Sequence, residues 1–144
     1  MSKFGLRKLG FGILLFGMAV CCYTASPVKA AETDVPIDNM TFPDATFLKY
    51  VGRFDKSGDG KLSESERNAV KKIVVNFDSL NSQTKITSLA GIEYFPNLTV
   101  LECEKNSLAS LDVTKNKKLQ ELNCDKNNLQ SLDVSQNTKL EGLL

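Results

Sequence analysis

Oxygen-bearing residues recur at alternate positions in one short stretch, residues 55–66, which reads DKSGDGKLSESE. With Asp55 as the first position, side-chain oxygens fall at positions 1, 3, 5, 9 and 12, and the backbone carbonyl of a lysine is available at position 7. Calcium ions take about six to eight oxygens, and a glycine at position 6 allows the sharp turn that gathers them. The predicted ligands are Asp55, Ser57, Asp59, Lys61, Ser63 and Glu66. The spacing therefore predicts a Ca²⁺-binding loop.

Helical patterns flank this loop on both sides, which is the context of an EF-hand. The first predicted helix opens at Pro43-Asp44 and places Phe47, Val51 and Phe54 on one face. The second begins near Ser63 and is predicted to end near Asn76, with Ala69, Val70, Ile73 and Val74 on one side. EF-hands usually pair, and the chain has no second loop, so we expect weak structural binding at roughly 10⁻⁴ to 10⁻³ M. The alternative is an acidic turn that never holds metal.

The chain has 144 residues and contains neither histidine nor tryptophan. This composition excludes Ser-His-Asp and Cys-His catalysis, as well as histidine metal sites. The acidic residues fall in the loop or on a regular strand, so no paired-carboxylate cleft is indicated. We therefore expect a protein that is not an enzyme.

Two near-identical blocks of 21 residues, 98–118 and 119–139, close the chain; 12 aligned positions are identical, and a third block starts at Leu140. A repeat of this length predicts a solenoid whose units bury their apolar faces against each other. The expected architecture is an α/β solenoid, with a short helical EF-hand-like cap (43–76) followed by repeats (77–144) that are incomplete at the C-terminal end. Such folds usually bind other molecules.

The blocks follow the leucine-rich repeat pattern, with cysteine at the third leucine position. Leu101 and Cys103 lie two apart on a predicted strand, so both point into the core. Asn106 and Asn127 stand where the chain bends, where a buried amide can bond the backbone of the adjacent coil. The resulting parallel sheet would line the concave face of the solenoid. Residues 77–85 fit the repeat only with an insertion, although a first strand is expected there.

The blocks resemble the cysteine-containing repeats of internalin-like bacterial surface proteins. Residues 86–101 (ITSLAGIEYFPNLTVL) resemble the 22-residue repeat type of the same group. The resemblance covers roughly residues 43–144, because a small helical cap commonly precedes such repeats. It implies a secreted or wall-attached protein that binds a protein or glycan outside the cell. The loop also resembles a dockerin loop, which leaves a dockerin-like or accessory module of an exported enzyme as the alternative, although dockerins carry two such loops.

Six strand positions are expected to face outward on the concave side, and four of them are acidic. They are Val100, Glu102, Glu104, Glu121, Asn123 and Asp125. A basic partner would suit this face, whereas a solvated strand surface would tolerate the same charges.

Residues 1–30 have the layout of a secretory signal: a basic start, an apolar stretch and Val28-Lys29-Ala30 before the predicted cleavage. A retained anchor and a lipoprotein signal at Cys21 are the alternatives, but the apolar stretch is short for a membrane span. Phe4-Gly5-Leu6-Arg7-Lys8 and Gly12 resemble the YSIRK-type signal of Gram-positive surface proteins, which implies export to the cell wall. Residues 31–42 would form a lead-in segment to the cap.

Cleavage after Ala30 would remove four basic residues and no acid, leaving 14 basic and 17 acidic residues and a net charge of −3. A nucleic-acid partner is therefore not expected, because such proteins need a basic surface. The mature chain would also have no membrane span.

Two of the four cysteines, Cys103 and Cys124, remain after that cleavage and lie one repeat apart. An even count in an exported protein allows a disulfide. Side chains stacked on parallel neighbouring strands do not readily reach the disulfide torsion. We therefore expect two buried thiols in a ladder.

Overall fold

The computed structural model describes residues 33–80 and 83–144 of the chain. The predicted signal segment, residues 1–30, lies outside the described residues, together with Cys21 and Cys22. The α-helices of the described part have seven and six residues and are too short to cross a bilayer.

A helix–loop–helix unit forms the N-terminal part of the described chain. Its elements are β1 (Val35–Pro36), α1 (Ala45–Val51), a 3₁₀ turn (Gly52–Phe54), β2 (Lys61–Leu62) and α2 (Glu64–Ala69). Asp44 caps the N-terminus of α1, because its carboxylate accepts hydrogen bonds from the backbone N–H groups of Thr46 and Phe47. Ser63 caps the N-terminus of α2 and forms a reciprocal capping box with Glu66.

The predicted second helix is wrong beyond residue 69. The structure ends α2 at Ala69 and makes Lys72–Val74 a strand, β3. Alternate residues in this stretch are exposed and buried, with Ile73 and Val75 fully buried. This two-residue period is that of a strand. The first strand of the repeat sheet therefore lies before residues 77–85, and not within them as expected.

The repeats build a parallel four-stranded sheet in the order β3-β4-β5-β6, where β4 is Val100–Glu102, β5 is Glu121–Asn123 and β6 is Gly142–Leu143. Val100 pairs with Glu121, 21 positions later, but with Lys72, 28 positions earlier. The longer first coil confirms the predicted insertion and contains a 3₁₀ turn, Phe77–Ser79. A second 3₁₀ turn, Ile92–Tyr94, lies away from the sheet.

The helical unit and the coils share a single hydrophobic core. Phe42, Phe47 and Phe95 are its largest members and are fully buried. Phe42 packs edge-to-face on Phe47, at a centroid distance of 5.9 Å, and on Tyr94, at 6.2 Å. These aromatic contacts therefore join the helix–loop–helix unit directly to the first coil.

Two columns of asparagines, all buried except the half-buried Asn127, satisfy the backbone where the coils bend. Asn106 donates to the carbonyls of Val75 and Cys103 at 2.8 and 3.0 Å, and its Oδ1 accepts from the N–H of Ile86 at 3.0 Å. Asn127 repeats this arrangement one coil later. The second column, Asn116 and Asn137, was not predicted, although both residues recur at the repeat period.

Both described cysteines are free thiols. Cys103 is fully buried, and burial raises its pKa to about 12. Cys124 is only half-buried, contrary to expectation, because no complete coil covers its side of the core in the structure.

Candidate functional site

The predicted metal loop forms one tight turn between α1 and α2. Gly58 and Gly60 have φ angles of +73° and +79°, which side-chain-bearing residues rarely adopt. Leu62 follows in β2 and is fully buried. Opposite it lies β1, in which Val35 pairs with Leu62, and the N–H of Ile37 donates to the carbonyl of Gly60 at 3.0 Å. The lead-in segment therefore supplies a strand that closes the loop, a role that the sequence did not reveal.

Asp55 turns its carboxylate into the loop. Oδ1 accepts hydrogen bonds from the N–H of Gly58 and the hydroxyl of Ser57, at 2.6 and 3.0 Å. Oδ2 accepts from the N–H of Gly60 at 2.9 Å. The hydrogen bond from Gly60 is the main cause of a lowered pKa for this carboxyl.

Glu66 closes the loop from its far end. Oε1 accepts from the N–H groups of Lys56 and Ser57 at 2.7 and 3.1 Å, and Oε2 accepts from the N–H and hydroxyl of Ser63 at 2.9 and 2.7 Å. These bonds, led by that of the Ser63 hydroxyl, lower the pKa of Glu66 to about 2. The Glu66 carboxylate therefore joins the start and end of the loop.

Oxygen atoms of the loop that a calcium ion would bind already accept hydrogen bonds from the loop itself. Asp55, Ser57 and Glu66 are linked by hydrogen bonds within one loop, whereas Asp59 accepts from the N–H of Lys61 at its exposed tip. No group of three or more His, Cys, Asp or Glu side chains in the described residues is gathered closely enough to hold a metal. A carboxylate has about four lone-pair sites, and Glu66 already accepts four hydrogen bonds. The donor set therefore fits Ca²⁺ only if Glu66 exchanges these bonds for the ion.

The predicted concave positions lie in lateral rows across the parallel sheet. Val100 stands between Lys72 and Glu121, and Glu102 stands between Val74 and Asn123. Glu104 and Asp125 follow directly after β4 and β5. The structure thus brings all six predicted residues to one region, and it adds Lys72, which was missed because its segment was predicted as helix.

Hydrogen bonds within this face engage two of its acidic side chains. Lys72 Nζ lies 2.6 Å from Glu102, and the Asn76 amide donates to the same carboxylate at 3.2 Å. The hydrogen bond from Lys72 lowers the pKa of Glu102, and the pKa of Lys72 is raised in return. Glu104 accepts from the amide of Asn123 at 3.1 Å. The Lys72 cation therefore offsets one of the four negative charges predicted for this face.

A hollow of about 270 Å³ opens on the concave side where β4, β5 and β6 meet. It is lined by Leu101, Glu102, Glu121, Leu122, Asn123, Gly142 and Leu144. Gly142 lacks a side chain, and a Cβ built on it would lie 3.8 Å from Cγ of Glu121. A glycine therefore occupies the row position beside the exposed Glu121, and no side chain fills the space next to it.

Comparisons with known proteins place this fold in context. No protein-family model matches the sequence, and no curated protein matches it. Among solved structures, the functional domain of InlJ from Listeria monocytogenes, which includes a cysteine ladder, is 32% identical with a TM-score of 0.65. That match covers 78% of this chain and 24% of the other. Internalin InlF from L. monocytogenes strain 4b F2365 is 27% identical with a TM-score of 0.63, over 79% of this chain and 33% of the other.

The matched part of this chain thus spans 24% and 33% of the length of the two internalin chains. The shared features are the parallel strand stack and the coil-forming repeats, and Cys103 and Cys124 occupy equivalent positions in successive coils. The repeat-bearing part of this chain is an internalin-like leucine-rich repeat domain.

Proposed function

We propose that this protein is exported to the surface or wall of a Gram-positive bacterium, where its concave face binds a protein or glycan partner. The likeness to internalins and the signal-like residues 1–30 support this proposal. The described residues contain one acidic loop of the dockerin type, whereas a dockerin carries two, so nothing favours that alternative. The protein would act by binding and not by catalysis.

The observation that carries the proposal is the hollow beside Glu121. It joins an apolar lining, in which Leu144 is exposed and Leu101 and Leu122 are buried, to the exposed carboxylate of Glu121 on the parallel sheet. Recognition sites typically combine such an apolar pocket with a few placed polar groups. No described residue donates a hydrogen bond to the Glu121 carboxylate. Lys72, which attracts this carboxylate across the sheet, is itself paired with Glu102, so Glu121 remains available to a basic or hydroxyl-rich group of a partner.

Site-specific photocrosslinking tests this proposal. A photoreactive residue at position 121 should capture a partner from the extracellular medium, whereas one at Asp112, which is exposed outside the concave face, should not. Glu121→Lys should then weaken binding of the captured partner about tenfold or more, and Asp112→Lys should leave it unchanged. Equal capture at both positions, or equal binding by both variants, would refute the concave site. Clearing of cell-wall material in a zymogram would refute the non-enzymatic assignment.

We further propose that Ca²⁺ is a weak structural ligand of loop 55–66. Carboxylate, hydroxyl and carbonyl oxygens at the EF-hand spacing support it. Addition of millimolar Ca²⁺ should raise the melting temperature, and Asp59→Asn should remove this response, whereas Asp112→Asn should retain it. No calorimetric heat and no thermal shift at millimolar Ca²⁺ would exclude the ion.

A further inference from the structure

The outer edge of β3 is an open sheet edge. β3 is the first strand of the four-stranded sheet, and β4 pairs with its other side. The flanking residues bond toward β4: the carbonyl of Lys71 accepts from Val100, and the N–H of Val75 donates to Glu102. The N–H of Val74 points the other way and donates to the hydroxyl of Tyr50 at 3.1 Å. Lys72 has the same outward direction, and no described residue pairs with its N–H or carbonyl.

A cavity of about 790 Å³ lies beside this edge and is lined by residues of loop 55–66, α2 and β3. Phe54, Ala69 and Val70 give it an apolar lining, with Phe54 half-buried and Ala69 exposed. Unpaired edge strands tend to recruit a further strand, and side-chain pockets along the edge then give the added strand its specificity. The open backbone of Lys72 and the apolar cavity are adjacent, because Lys72 itself lines the cavity.

The charges around the cavity are mostly positive. Lys56, Lys71 and Lys72 lie on its rim, and within the described part of the chain Lys72 alone is paired with a carboxylate, that of Glu102. Glu66 is the acidic residue among those lining the cavity, and the loop donates four hydrogen bonds to its carboxylate. The rim therefore complements an acidic ligand.

We propose that an extended acidic peptide adds to the sheet at the outer edge of β3, pairing with the backbone of Lys72 and placing one apolar side chain in the adjacent cavity. Carboxylates on either side of that apolar residue would meet Lys56 and Lys71. The Tyr50 hydroxyl covers the next outward N–H, so pairing is confined to the Lys72 end of the strand. This site borders the concave face at Lys72, but it has no lining residue in common with the concave hollow.

Fluorescence anisotropy with labelled synthetic peptides tests this site on the purified protein. The probe has the sequence Glu-Asp-Val-Phe-Val-Asp-Glu and is blocked at both ends. A second peptide replaces its four acidic residues with lysine, and a third is N-methylated at the residues flanking phenylalanine, which removes N–H groups needed for strand pairing. Protein variants are Lys71→Glu and Ala69→Glu, both at exposed positions, with Lys139→Glu on the last coil as the matched control.

The acidic probe should bind the unchanged protein, and both cavity variants should weaken binding about tenfold or more while the control leaves it unchanged. The lysine and N-methylated peptides should bind at least about tenfold more weakly than the probe. The variants should also melt within a few degrees of the parent, since all three positions are exposed.

Several outcomes would overturn the proposal. These are no binding of the probe at about 1 mM, equal binding by Ala69→Glu or Lys71→Glu, and equal binding of the lysine peptide. Equal binding of the N-methylated peptide would show a charged apolar cavity without strand addition, and would also overturn it. Loss of binding by Glu121→Lys but not by the cavity variants would assign the peptide to the concave face instead.

Discussion

Replacing Gly91 with alanine should strongly destabilise the protein, because this residue is where the helical unit meets the first coil. Gly91 has φ +99° and is buried at the start of the 3₁₀ turn Ile92–Tyr94. A Cβ built there would lie 2.3 Å from Cδ1 and 2.4 Å from Cε1 of Phe42, and 3.0 Å from the carbonyl oxygen of Thr41. The Phe42 ring is fully buried between Phe47 and Tyr94, so it has little room to move.

Two costs combine in this variant. A positive φ costs a side-chain-bearing residue about 1–2 kcal/mol, and overpacking a core costs about 1–3 kcal/mol. Their sum of about 2–5 kcal/mol is a large part of the ~5–15 kcal/mol stability of a typical domain. For a domain of this size, we expect the melting temperature to fall by about 10–20 °C.

Thermal and urea unfolding followed by circular dichroism would measure this loss, with Gly52→Ala as the matched control. Gly52 has φ −54°, and a Cβ built there meets nothing within 4 Å. Its replacement should be neutral or stabilise by up to about 1 kcal/mol. In a double-mutant cycle, Phe42→Ala should cost less in the Gly91→Ala background than alone. Equal melting of the two glycine variants, or strictly additive effects with Phe42→Ala, would refute the clash.

Three further predictions concern the core and the loop. Asn106→Ala should lower the free energy of unfolding in urea by about 2–4 kcal/mol, because it removes three buried hydrogen bonds. Asn128→Ala, at an exposed position, should cost little. Equal costs would contradict a stabilising role for the asparagine column. Iodoacetamide at pH 8 should label Cys103 more slowly than Cys124 in the folded protein, because burial raises the pKa of Cys103 to about 12 and the thiolate is the reactive form. Mass spectrometry would measure the two labelling rates. Equal rates would show that burial does not protect the Cys103 thiol. The pKa of Glu66 is lowered from 4.5 to about 2, so its contribution to stability should be complete above pH 4.5 and lost as pH falls through 2. When the free energy of unfolding is measured against pH, Glu66→Gln should reduce the loss of stability at acid pH. An unchanged acid limb would contradict this role of Glu66.

The repeat period predicted the later coils well, because each repeat makes the same contacts as the one before it. Leu101 and Leu122 pair directly in neighbouring strands and are both buried, as their shared position in the 21-residue block required. The same period contained Asn116 and Asn137, whose amides cross to the preceding coil. That second column could have been predicted from the sequence, since buried polar side chains in a solenoid recur with the coil.

Strand β3 could not be predicted in the same way, because no repeat precedes it. The residues Ile73, Val74 and Val75 form a short apolar run, and such runs fit either a helix or a buried strand. What selects the strand is its partner β4, which lies 28 positions later beyond a longer coil. Long-range pairing of this kind leaves no local signal. β1 was missed for a similar reason, since a two-residue strand is too short to show periodicity.

The contacts of Glu66 limit how strongly calcium can act on the loop. The ion would have to replace the four hydrogen bonds that the carboxylate accepts, and only the difference between the two sets of contacts would favour binding. The pairing of β1 with β2 and the burial of Leu62 already order the loop, so little further ordering is left for the ion to provide. With a dissociation constant of roughly 10⁻⁴ to 10⁻³ M, 1 mM Ca²⁺ would stabilise the fold by about 0.4–1.4 kcal/mol. The corresponding rise in melting temperature, about 2–6 °C, is smaller than the fall expected for Gly91→Ala. A rise above about 10 °C would mean that Glu66 releases the loop at little cost, and that its hydrogen bonds are not what holds the loop closed.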